Sequence, residues 1–156
     1  MQQEIDKVYR RQKYKQDSID YSNSFGLIIF DLDFFKNFND KNGHLAGDEL
    51  LQTLVKVVKS VLFPTDIFCR YGGEEFAIIC CETTSEGIAI AAEKIRKVVE
   101  SYKFKYQESQ PNGKITISVG ATFYSAIDMG KDELIKKADA NLYKAKSNGR
   151  NTIVFN

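Results

Sequence analysis

No apolar run in this chain of 156 residues approaches the roughly 18 that cross a membrane. The polar start "MQQEIDKVYRRQKYKQ" is no secretory signal. Basic residues barely exceed acidic ones, and the net charge of +1 lacks the excess with which proteins grip duplex nucleic acid. A nucleic-acid partner is therefore excluded, and any nucleotide chemistry has to be local. Cysteine is scarce too. Cys69, Cys80 and Cys81 form neither an even disulfide framework nor a metal-ligand spacing, and their apolar neighbours make them small core residues. There is no internal repeat and no low-complexity segment, and the one linker-like stretch is the polar 16–24. The chain reads as soluble, cytoplasmic and kept in a reducing compartment, with one domain's worth of residues.

What is present alternates between two periodicities. "FGLIIFDLD", residues 25–33, is a short apolar run ending in acids, as a buried strand does when it delivers polar groups to a sheet edge. Leu51, Leu54, Val55, Val58, Val61 and Leu62 recur at helical spacing, which predicts a first helix over 46–62 ended by Pro64. "DIFCRYGGEEFAIICCE" reads as two strands around a Gly-Gly pair suited to the positive φ of a tight turn, and the unbroken apolar stretch 76–81 makes the second of them central. Thr84 or Ser85 opens a second helix with Ile88, Ala91, Ala92, Ile95, Val98 and Val99 on one face. "KITISVGATFY", 114–124, is a β-branched strand. A third helix from Lys131 carries Leu134, Ile135, Ala138, Leu142 and Ala145 and stops at Asn148-Gly149, before a last strand "NTIVF". The order predicts an α/β (α+β) fold, a mixed central sheet flanked by helices.

"RYGGEEF" poses the functional question, because a turn needs its glycines but not two adjacent carboxylates. Asp31 and Asp33, on one strand face by alternation, would join Glu74 and Glu75 if the two strands are neighbours. Carboxylates so crowded raise one another's pKa, and a hard divalent cation relieves the repulsion. Mg²⁺ binds through one or two carboxylates plus substrate phosphates, so the cluster points to a phosphorylated ligand. Taken singly, the glutamates also fit a solvated hairpin end, and the aspartates could cap the segment after them.

Three stretches in order, "FDLDFFKNFNDKNGHLAGDELL", "CRYGGEEF" and "ADANLYKAKSNGRN", resemble the GGDEF domains of bacterial diguanylate cyclases. The likeness runs from about Val8 onward. The usual opening motif survives only as "DKVYRR", which implies a truncated helical lead-in over 1–24, a catalytic domain over 25–156, and an upstream sensory or dimerising domain in a longer native chain. The resemblance implies a fold like the palm of nucleotide cyclases and polymerases, and condensation of two GTP into cyclic di-GMP across a homodimer, with release of pyrophosphate. A catalytically silent GTP-binding or partner-docking module is the alternative.

Carried onto this chain, the resemblance makes Asp31, Glu74 and the Leu32 carbonyl ligands of two Mg²⁺ (or Mn²⁺) ions per site, with Glu75 a further acid beside them. Glu74 is the position that takes the 3′-hydroxyl proton, and Lys36 reaches the triphosphate. Phe34, Phe35, Asn39, His44, Asp48, Lys146 and Arg150 are the substrate-binding positions. Asn39 and Asp48 would read guanine, because a carboxylate accepts from donors that adenine lacks there. His44 is assigned to holding the "GHLAGD" loop more than to direct contact, and Lys146 and Arg150 form the phosphate pair. One departure stands out. The arginine of the inhibitory "RxxD" motif is Phe63 in "FPTD", so with Asp66 by itself the inhibitory product site is expected to be absent. Lys94 and Arg96 are the other basic residues considered for such a site.

Overall fold

The computed structural model describes residues 24–81, 83–124 and 131–156, together with positions 3 and 7. The helical lead-in expected over 1–24 and the polar stretch 16–24 otherwise lie outside the described residues. In chain order the elements are β1 (Phe25–Leu32), α1 (Phe35–Asn42), α2 (His44–Lys59), β2 (Ile67–Arg70), β3 (Glu75–Cys81), α3 (Ser85–Ser101), β4 (Ile117–Tyr124), α4 (Lys131–Ser147) and β5 (Ile153–Phe155).

β1 is buried at every position, which a strand achieves only with both its faces covered. It lies at the centre of a sheet ordered β2-β3-β1-β4-β5. β1 runs antiparallel to β3 and β4, β2 antiparallel to β3, and β4 parallel to β5, so the sheet is mixed as the order of elements predicts. Alternation divides the core. Ile28, Phe30 and Leu32 pack with Phe35, Phe38, Leu54, Val58 and Ile95 under α1, α2 and α3. Phe25, Leu27 and Ile29 pack on the opposite face against Leu134, Ala138 and Leu142 of α4. Cys80 is buried, and that burial pushes its thiol up to about 12, as suits an inert core residue. Among the described residues no helix is long and apolar enough to cross a membrane.

Three local expectations need correction. The helix expected over 46–62 is α2, His44–Lys59, and a separate helix that the spacing does not announce, α1, precedes it. Gly43 at φ 84 breaks them apart, and α1 was hidden because only Phe35 and Phe38 of its eight residues are buried. α2 ends at Lys59, five residues before Pro64, where the Ser60 hydroxyl donates to the Val57 carbonyl and the Ser60 N–H to that of Lys56. The Gly72-Gly73 pair does not adopt the left-handed φ expected of it, which among described glycines occurs at Gly43, Gly113 and Gly149. A Cβ on Gly72 would lie 2.9 Å from Glu75 Oε2, the end of a flexible side chain that can swing aside. Elsewhere the signals hold: the Thr84 hydroxyl caps α3 by accepting from Gly87 N–H, and Gly149 at φ 102 follows the end of α4.

Candidate active site

The acids of the site are delivered by strand register. Asp31 stands opposite Glu75 of β3 and Ser118 of β4, and the Leu32 N–H donates to the Glu74 carbonyl at 3.4 Å. The turn bearing the glutamates is closed by N–H groups of Tyr71 and Gly72, which both donate to the Glu75 carbonyl. Arg70 Nε donates to the carbonyls of Gly72 and Gly73 at 3.2 and 3.0 Å, satisfying backbone acceptors that an exposed turn leaves unpaired. A Cβ on Gly73 would meet nothing within 4 Å, so the backbone there is bare and approachable.

Asp31 is 7% exposed and its Oδ2 lies 2.9 Å from Lys146 Nζ. α4 can deliver that lysine because it lies directly on the sheet at Gly120, where a Cβ would come within 2.2 Å of Ala138 O and Leu142 N. Burial pushes the Asp31 carboxyl up to about 6; the Lys146 ammonium opposes this, and the charges of Glu74 and Glu75 add to it. The ion pair therefore leaves the carboxylate's charge incompletely compensated.

The expected crowding of Asp31, Asp33, Glu74 and Glu75 is realised only in part: the charges of Glu74 and Glu75 act on Asp31, while Asp33 is engaged elsewhere. Among the described residues no three His, Cys, Asp or Glu side chains converge on one point as a preformed metal site. Asp33 is turned to another task, accepting from Thr116 Oγ1 at 2.7 Å, Ser118 Oγ at 2.6 Å and the Asn151 N–H at 3.0 Å. Those donors engage both of its oxygens. Nor does Asp33 or Asp31 cap α1, whose N-cap is Phe34 in a left-handed conformation with no side-chain cap.

The substrate-binding positions lie around this acid edge. Phe34 is exposed at φ 58, with the Arg150 guanidinium 4.6 Å from its ring centroid. Phe35 is buried in the core under α1, so it shapes the floor rather than the surface. Lys36 is exposed in the first turn of α1, and His44 is exposed as the first residue of α2. Asn39 Oδ1 is buried without a hydrogen-bond partner among the described residues. Gly47 makes room for it, since a Cβ there would fall 1.8 Å from that oxygen. Asp48 is exposed at the rim of an open cleft of about 370 Å³ lined also by Leu51, Val55, Phe68, Arg70 and Phe76. Lys146 is ion-paired with Asp31 instead of presenting an unengaged phosphate ligand.

At the far end of the hairpin, Asp66 Oδ2 accepts from the Phe63 N–H at 2.9 Å, and burial raises its carboxyl pKa. Phe63 is 71% exposed, with Lys94 Nζ 6.0 Å from its ring centroid and donating to the Val61 carbonyl at 3.2 Å. Arg96 is unavailable as a second basic patch. It is largely buried and bonded to Glu93, Glu100 and Asn151 Oδ1. That clamp on Asn151, like the role of Asp33, joins residues too far apart in the chain for any spacing to signal.

A family model described as "Diguanylate cyclase, GGDEF domain" matches residues 1–152. Among curated proteins the chain is 37% identical over 132 residues to diguanylate cyclase A of Treponema denticola, covering 85% of this chain but only 35% of that protein. Among solved structures it superposes on the active GGEEF domain of a diguanylate cyclase from Vibrio cholerae with a TM-score of 0.81 at 32% identity, over 96% of this chain and 89% of that one. The coiled coil and GGDEF domain of DgcB from Caulobacter crescentus, in complex with c-di-GMP, gives a TM-score of 0.81 at 30% identity, over 97% of this chain and 78% of that one.

Proposed function

The chain belongs to the GGDEF family, and from that premise we propose that it is a diguanylate cyclase drawing on cytoplasmic GTP. In the reaction the 3′-oxygen of each GTP attacks the α-phosphorus of the other. Each attack forms one P–O bond, breaks the bond to the β-phosphate bridge, and releases pyrophosphate and a proton. Two sites must face each other, so the working unit is a homodimer. A dimerising upstream segment, such as the coiled coil named in the Caulobacter structure, would assemble it.

The observation that carries this reading is the buried Asp31 carboxylate, ranged beside Glu75 at the sheet edge and still short of compensating charge after pairing with Lys146. Asp31, Glu74 and the Leu32 carbonyl are hard oxygen donors of the kind that hold Mg²⁺ or Mn²⁺. Mg²⁺ sites take one or two carboxylates together with substrate phosphates, so no preformed triad is needed. When bound, two such ions supply charge neutralisation at the phosphates and a lowered pKa at the attacking hydroxyl. Glu75 adds negative potential that favours the cations. Glu74, on the turn, would receive the 3′-hydroxyl proton. Lys36, Lys146 and Arg150 stabilise the charge of the triphosphate and the departing pyrophosphate.

Guanine is read by Asn39 and Asp48, with His44 holding the loop between them. The partnerless Asn39 Oδ1 awaits a donor, and guanine presents N1–H and an exocyclic amine where adenine presents neither pattern. Phe34 would border the nucleotide at the surface, and Phe35 would support the site from the core beneath it. The test is incubation of the purified chain with GTP and Mg²⁺, with separation of products. Two pyrophosphates for each cyclic dinucleotide, at a turnover lowered by about two orders of magnitude or more in Glu74→Ala, are the expected result. GTP binding without turnover in a dimeric sample would instead establish a silent nucleotide-binding module.

A further inference from the structure

Asp33 is 4% exposed, and two of its three donors, the Thr116 and Ser118 hydroxyls, come from the neighbouring chain segment at β4. The third is the Asn151 backbone N–H, 118 residues further along the chain. That donor belongs to a stretch of backbone that needs holding. Gly149, Arg150 and Asn151 lie at φ 102, 65 and 45, three successive left-handed residues of which only the first is glycine. The Arg150 N–H donates back to the Ala145 carbonyl at 3.2 Å and ends α4. Beyond that bond, the turn is clamped from two sides. Asn151 Nδ2 donates to Glu100 Oε1 at 2.9 Å and its Oδ1 accepts from Arg96 Nη1 at 2.8 Å, while Asp33 holds its backbone.

Arg150, one of the site's cations, belongs to this turn, and Lys146 precedes it on α4. Arg150 lies over Phe34, the residue after Asp33, and Lys146, one helical turn earlier, meets Asp31, two residues before it. Strained backbone persists where the surroundings over-determine it, and such places are commonly functional. We infer that Asp33 is a positioning residue for polyphosphate recognition, its carboxylate holding the left-handed turn 149–151 so that Arg150 stands over Phe34, close in the chain to the Asp31 that Lys146 meets. The inference rests on the nucleotide reading above and assigns to the second aspartate of "DLD" a task separate from metal binding.

The test uses the whole chain in Mg²⁺, with 3′-deoxy-GTP, which lacks the attacking hydroxyl, and 3′-deoxyguanosine, which keeps base and sugar but no phosphate. Asp33→Ala weakens 3′-deoxy-GTP by about tenfold or more, the scale of a lost charge-assisted contact, and leaves 3′-deoxyguanosine unchanged. Asp33→Asn restores most of the affinity, because its amide oxygen still accepts from Asn151 while its NH₂ faces a hydroxyl that can rotate to accept. Arg150→Ala costs clearly less in the Asp33→Ala background than in the wild type, since both act through one contact.

Equal weakening of both ligands, additive effects of the two substitutions, or wild-type affinity in folded Asp33→Ala would each overturn the inference. If Asp33→Ala does not fold, Thr116→Val with Ser118→Ala leaves the carboxylate but removes the two hydroxyls that aim it. The same phosphate-selective loss is expected there, and its absence counts against the inference. A wild-type chain that binds no 3′-deoxy-GTP would overturn the nucleotide reading and this inference together.

Discussion

Lys146 Nζ sits 2.9 Å from Asp31 Oδ2, yet the Asp31 carboxyl is held at about 6, well above an ordinary aspartate. An ion pair normally lowers a carboxylate's pKa; here burial outweighs the lysine, and the nearby glutamates push the same way. The pair marks a place where a carboxylate has been desolvated without full compensation. Burying charge in this way costs folding energy and is kept where function needs it.

Asp31→Asn should therefore stabilise the metal-free protein while abolishing activity. The sign follows from linkage. The folded chain takes up a proton on Asp31 more readily than the unfolded chain, so this group favours folding below the unfolded pKa, and that contribution is lost as pH rises through about 6. A neutral asparagine should raise the melting temperature in EDTA near pH ~8, with the advantage shrinking toward pH ~4. A lower melting temperature for Asp31→Asn near neutral pH would show that the Lys146 pair outweighs desolvation.

Gly47 and Asp48 should separate affinity from base choice. A methyl at Gly47 would fall 1.8 Å from Asn39 Oδ1 and 3.2 Å from Phe35 Cζ. Gly47→Ala therefore displaces the asparagine and should raise KM for GTP about tenfold, the cost of one well-placed hydrogen bond. Asp48→Ala should narrow the preference for GTP over ATP by about 1–3 kcal/mol in kcat/KM. Unchanged selectivity would mean that a different residue reads the base.

Gly120→Ala should be among the most damaging single-methyl changes in the fold. The atoms it would strike, Ala138 O and Leu142 N at 2.2 Å, are backbone and cannot rotate away. α4 must lift from the sheet, at a cost of about 3 kcal/mol or more in urea unfolding. The same displacement draws Lys146 away from Asp31, so the surviving folded protein should titrate Asp31 at higher pH than the wild type. A stability loss below about 0.5 kcal/mol would show that the helix accommodates the methyl.

Product feedback through the Phe63 and Asp66 surface should be absent. Phe63 offers no donor or charge to a phosphodiester, and Asp66 is already committed to the Phe63 N–H. Asp66→Ala should lower stability by about 1 kcal/mol through that lost bond and leave initial rates against added cyclic di-GMP unaltered. Micromolar non-competitive inhibition in the wild type that vanishes in Asp66→Ala would contradict this.

What the sequence by itself determined was everything that depends on periodicity and local chemistry. β1, β3, α3 and α4 declare themselves because a strand repeats every two residues and a helix every 3.6, so their buried faces are written in order along the chain. α1 does not declare itself, since two buried phenylalanines in eight residues carry no clear period and its start depends on the left-handed Phe34. The tertiary structure decided the fates of the acids and cations. Asp31 and Asp33 are two residues apart on one face, yet one meets the Lys146 ammonium and the other meets two hydroxyls and a backbone N–H. Nothing between positions 31 and 33 distinguishes them. The difference is made by β4, by α4 and by the turn after it, which reach the strand end from more than 80 residues away in the chain. Burial and charge act through space, over a few ångströms, so the pKa of Asp31 and the occupation of Asp33 exist only once those distant segments have packed.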